Sequence, residues 1–218
     1  MDWKFKEVCE LCEAQERKGV LDELERANWA LALLNLDSYE QAASICEQLI
    51  LAAPETSRNH VILGVCQWYL GNHEGSQKAW DQALGCKRLP LGGGVEIAAM
   101  LYYSSLWVDN KKSEKKSLAR LKKLWKPGLP WPVPIAGYLL GEIDSGVMLG
   151  QVNNDVPNLT ERHLCQAYFW IGFHLAQQGK TTEANSALEK SYEVAGSSIL
   201  EAERYLAKWE LSRSQRLI

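Results

Sequence analysis

The residues that could do chemistry are few and scattered. Cys9 and Cys12 form a lone Cys-x-x-Cys pair. Structural zinc needs four ligands, and neither a second such pair nor a His-x-x-x-His accompanies it. A redox pair would need a strand before it, and none is evident. On a helix the two thiols share one face, where they read as small hydrophobes. His60, His73, His163 and His174 share no metal-ligand spacing. Gly92-Gly93-Gly94 lacks the following Gly-Lys-Ser/Thr of a phosphate loop and reads as a flexible linker. Asn158-Leu159-Thr160 is formally a glycosylation sequon, but Thr160 reads better as the N-cap of a helix over 161–178. No nucleophile, base and orienting group assemble from the remainder. The expectation is a non-enzyme with no cofactor and no metal.

The elements that carry these residues repeat. Residues 23–56 overlay residues 57–90 at an offset of 34, and a block from Cys165 follows the same pattern. Ala30, Gly64 and Gly172 fall together, as do Asp37, Gly71 and Gly179, and Cys46, Trp80 and Leu188. A period of this length with two helices per repeat resembles the tetratricopeptide (TPR) repeat. The resemblance implies an all-α fold, a TPR-like solenoid. Its first helix carries a small residue where the second helix crosses, faced by Ala42, Ser76 or Ala184. Trp80, Leu188 and Cys46 are expected to fill the gap to the next repeat. Gly71 and Gly179 end first helices, where glycine takes positive φ at little cost.

Between these blocks, 91–164 reads as a degenerate stretch with helices over 95–108, 113–126 and 135–151. "PGLPWPVP" (127–134) interrupts it, because proline removes a donor and clashes mid-helix. "NNDVPN" (153–158) reads as a turn. Repeat 165–198 follows, then an amphipathic capping helix over 199–212. About four helix pairs are expected, forming one superhelical domain over 1–218. The run "LPWPVPIAGYLLGEID", with Tyr138, Leu139, Leu140 and Gly141, and the repeat after it resemble bacterial TPR adaptors of the NlpI type. Those are envelope lipoproteins that scaffold proteases and cell-wall hydrolases. The charged N-terminus of this sequence departs from them, and no lipoprotein leader is expected from it.

Charge and composition narrow the partners. A net charge of −3 argues against a nucleic-acid binder. Six cysteines in 218 residues do not make a disulfide scaffold and fit reduced thiols in the cytoplasm, or the envelope if a leader precedes Met1. No apolar run is long enough to span a membrane.

TPR arrays bind with the face of their first helices, and the resemblance assigns Arg58, Val61, Val65, Trp68 and Tyr69 to that face. Phe169, Trp170 and Phe173 join them, with Trp131 as a lid. An aromatic groove of this kind suits a partner's helix or extended apolar segment. "KKSEKKSLARLKKLWK" (111–126) has eight basic residues and one acid, and Lys115, Lys116, Lys122 and Lys123 form a basic surface beside the groove. Two roles fit: a non-catalytic protein–protein adaptor, or a cytosolic immunity protein that neutralises a cognate toxin. A homodimer is compatible with either.

Overall fold

The computed structural model describes residues 4–90, 93–152, 155–194 and 199–216. Among them the chain is all α-helical, apart from one isolated bridge between Thr56 and Arg88. It divides into two compact units, Met1–Pro90 and Leu91–Ile218.

The first unit is a run of helix hairpins. Helix α1 (Phe5–Glu16) packs on α2 (Glu23–Asn35), α2 on α3 (Tyr39–Ala52), α3 on α4 (Ser57–Tyr69) and α4 on α5 (His73–Gly85). Glu23 and Ser57 begin the first helices 34 residues apart, and Tyr39 and His73 begin the second helices at the same offset. The repeat register is therefore the register of the helices. Asp22 closes a capping box at the start of α2: its Oδ1 accepts from Glu25 N at 2.8 Å, while Glu25 Oε2 accepts from Asp22 N at 2.9 Å.

Helices α2, α4, α6 (Val95–Trp107), α8 (Val133–Leu139) and α10 (Pro157–Gln177) end the same way. The amides of Ser38, Asn72, Asn110, Glu142 and Lys180 donate back to the carbonyls of Leu33, Gln67, Ser105, Gly137 and Leu175. In each, the residue before the donor has positive φ: Asp37 at 59°, Gly71 at 75°, Asp109 at 48°, Gly141 at 74° and Gly179 at 75°. This is the Schellman closure, and its left-handed position favours glycine. No atom lies within 4 Å of a Cβ added at Gly71. Gly71→Ala should therefore cost about 1 kcal/mol through backbone strain alone. A thermal melt showing no loss would contradict that reading.

Gly64 and Gly172 serve the close crossings expected of them. A Cβ at Gly64 would lie 2.6 Å from Trp80 Cε2, and one at Gly172 would lie 2.7 Å from Leu188 Cγ and 3.0 Å from Ala184 O. Trp80 and Leu188 thus lie over the glycines of their own hairpins. Trp80 Nε1 also donates to Val61 O at 3.2 Å, which keeps the indole flat on α4. The loops that leave the two repeats meet: Ser57 Oγ donates to Arg88 O at 2.7 Å, and Lys87 N donates to Glu55 Oε2 at 3.0 Å.

In the second unit, α6 (Val95–Trp107) packs on α7 (Lys111–Leu124), and both contact α8 (Val133–Leu139). Helix α10 (Pro157–Gln177) packs on α11 (Thr181–Glu193), and α12 (Ala202–Arg216) covers both. The single helix expected over 135–151 is two: α8 ends at Leu139, left-handed Gly141 follows, and α9 (Ser145–Gly150) restarts on Asp144, whose Oδ1 accepts from Val147 N at 2.8 Å. Helix α10 begins earlier than expected. Pro157 occupies its first turn, where its missing N–H costs nothing, so Thr160 lies inside the helix and donates to Val156 O at 3.1 Å. Pro157 and Asn158 are thus helical rather than part of the expected turn, whose Asn153 and Asn154 lie outside the described residues. Gly92 of the glycine run also lies outside them, and Gly94 is the left-handed N-cap of α6. The capping helix starts at Ala202 rather than 199.

Candidate interaction surfaces

The residues assigned to a groove divide by burial. On α4, Arg58 is exposed and Val61 and Tyr69 are half-buried, but Val65 and Trp68 are 1% and 0% exposed. Helix α5 covers Trp68, whose ring stacks on Trp80 at 5.8 Å between centroids and meets His73 at 4.2 Å. Burial pulls the His73 pKa down, so the ring beside Trp68 is held neutral. Tyr69 stacks on Tyr39 of α3 at 4.2 Å, and Tyr39 donates to Asp37 Oδ1 at 2.6 Å. Arg58, Val61 and Tyr69 are what a partner could reach among the groove residues of this unit. Leu24, one repeat before Arg58, is 62% exposed and belongs with them. The 34-residue offset that aligned Ala30 with Gly64 would have found it.

Phe169, Trp170 and Phe173 are core, which corrects their assignment to an open groove. Tyr103 of α6 meets Phe169 at 5.6 Å and Phe173 at 5.1 Å, and Trp170 Nε1 donates to Glu203 Oε1 of α12 at 3.3 Å. This face of α10 carries large apolar rings because two other helices close over it. Trp131 is not a free lid. It stacks on His163 at 4.9 Å and donates from Nε1 to Gln166 Oε1 at 2.7 Å. Burial, with the Arg162 charge, pushes the His163 pKa down to about 4.

Helix α7 is the opposite case. Leu121 and Ser117 are buried against α6 and α8, while Lys111, Lys112, Lys115, Lys116, Lys122 and Lys123 are exposed. Asn110 caps the helix, its Oδ1 accepting from Ser113 N at 3.0 Å. Glu114 is the one carboxylate on the helix, and Lys111 Nζ lies 3.1 Å from it. Turn spacing places Lys112, Lys115, Lys116, Lys122 and Lys123 along one side.

Cys9 and Cys12 are buried on the face of α1 that packs on α2, and burial raises both thiol pKa values. Such thiols are poor nucleophiles at neutral pH. Among the described residues, no three His, Cys, Asp or Glu side chains are grouped to hold a metal ion. No helix among the described residues is long and apolar enough to cross a membrane.

No protein-family model matches the chain, and no curated protein matches it. Among solved structures, one chain of the Naa15/Naa10 complex bound to HypK-THB is similar, at 15% identity and a TM-score of 0.46. The match covers 98% of this chain and 32% of that one, so this chain spans about a third of its length. The assignment to a TPR-like helical fold stands on this chain's own helix pairing and 34-residue register.

Proposed function

We propose that the protein is a non-catalytic interaction scaffold whose main contact surface is the lysine face of α7, and that its partner presents an acidic segment. The observation that carries this is the exposure of six lysines on one helix with a single carboxylate among them. Like charges this close repel one another, and an anionic partner relieves that cost on binding. Arg58, Val61 and Tyr69 form a second, smaller patch on the first unit. The large aromatics first assigned to contact support the fold instead, and the second unit offers a rigid platform for α7.

Reversing Lys115, Lys116, Lys122 and Lys123 to glutamate should abolish capture of the partner from the native host. Raising the salt concentration should weaken capture by the wild type, because exposed charge pairs are screened. The melting temperature should barely move, since exposed substitutions away from special features stay within about 0.5 kcal/mol. Undiminished capture by the reversed variant would rule out this face, and a simultaneous loss in a Val61→Ser, Tyr69→Ala variant would hand the role to the first unit.

A further inference from the structure

Three carboxylates come together where α12 meets the rest of the second unit, Glu201 and Glu203 buried and Glu96 half-buried. Glu203 of α12 is 0% exposed; its Oε1 accepts from Trp170, and its buried Oε2 has no hydrogen-bond partner among the described residues. Glu201, just before α12, is 5% exposed and takes an ion pair from Arg162 and a hydrogen bond from Gln166 Nε2 at 2.8 Å. Glu96 of α6 accepts from the same Gln166 Nε2 at 3.3 Å, and its Oε2 is buried without a hydrogen-bond partner among the described residues. Gln166 has no further side-chain donor to offer, because both Nε2 hydrogens are used by Glu201 and Glu96, while its Oε1 accepts from Trp131.

We propose that this cluster is a proton-loaded clasp: α12 docks on α6 and α10 with protons held among Glu96, Glu201 and Glu203, and the docking loosens as the solution becomes more basic.

The charge count requires protons. Arg162 is the cation that meets the cluster from α10. His163 beside it is held neutral by burial, and the Cys165 thiol is pushed up by burial and by Glu203. From α12, the Arg204 guanidinium reaches instead to the carbonyls of Tyr192 and Val194. No titratable side chain of α11 is within hydrogen-bond reach of the three carboxylates among the described residues. Among the described residues, Arg162 pairs with Glu201, and no cation pairs with Glu96 or Glu203. An ionised carboxylate left unpaired in the interior takes up a proton rather than remain charged.

Burial, with the Glu201 charge, pushes the Glu96 carboxyl up to about 7, and Glu203 is pushed far above its ordinary value by burial and by both neighbours. The docked state thus holds protons that the undocked state releases. Its advantage is complete below the ordinary carboxyl value of 4.5 and is lost as pH rises through the docked value. At its other end α12 is held by Glu210, which accepts from Tyr103 Oη at 2.8 Å and Trp107 Nε1 at 3.1 Å and pairs with Arg213. The clasp governs the helix's N-terminal end. This inference does not rest on the role given to α7.

Hydrogen exchange by mass spectrometry tests it. After correction for intrinsic exchange chemistry, protection of residues 202–216 should fall about tenfold between roughly pH 6 and pH 8.5 from Glu96 alone, and further from Glu203. Helix α7 should not change. Glu96→Gln and Glu203→Gln, each neutral and of the same shape, should each flatten the profile. Glu96→Gln keeps the test alive if Glu203→Gln fails to fold. Equal α12 protection at both pH values in the wild type, or an unchanged wild-type slope in the folded variants, would overturn the proposal.

Discussion

Trp68→Ala should unfold the first unit rather than weaken a contact. The side chain is 0% exposed and lies between Trp80 and His73, so truncation leaves a cavity that the α4–α5 hairpin cannot close. Removing a buried tryptophan costs about 3–5 kcal/mol. For a unit of this size that corresponds to a fall in melting temperature of roughly 12 °C or more. Far-UV circular dichroism on heating would show it. An unmoved melting curve would mean that the indole is not held in the core.

The second large effect is at Gly64. Trp80 cannot retreat from a new side chain there, because it is itself 0% exposed and its Nε1 is bonded to Val61 O. Gly64→Leu must therefore separate α4 from α5, at a cost of about 3 kcal/mol or more, the upper end of what overpacking does. Gly172→Leu should behave alike, since one of the atoms in the way is the backbone carbonyl of Ala184. Denaturant titration of each variant gives the number directly. Wild-type midpoints in both would contradict the close crossings.

Much of this was legible before any coordinates. The 34-residue offset marked the first residues of α2 and α4, because each repeat closes its own helix hairpin and the local signals suffice. Gly64 and Gly172 were legible for the same reason: a small residue inside a helix implies that something lies close to it. That Trp80 and Leu188 lie over those glycines was less legible, since a pattern of spacing says that a bulky residue packs but not which side it packs on.

The burial of the aromatics has one physical cause. Whether a ring on a first helix faces solvent depends on what the rest of the chain lays over it. Trp68 is covered by α5 of its own hairpin. Phe169, Trp170 and Phe173 are covered by α6 and α12, which lie far from them in sequence. Local periodicity carries no information about such distant cover. The carboxylate cluster was invisible for the same reason: Glu96, Arg162, Gln166, Glu201 and Glu203 come together only through packing. The lysine face of α7 needed no such help, because a helix with leucines on one side has only the other side left for its charges.

The central claim, that α7 is the contact surface, is tested most directly by amine footprinting of the protein alone and in complex with the partner it captures. The account predicts that Lys115, Lys116, Lys122 and Lys123 lose reactivity in the complex while Lys4, Lys6, Lys180 and Lys190 keep theirs. Full reactivity of the four α7 lysines in a saturated complex would contradict it.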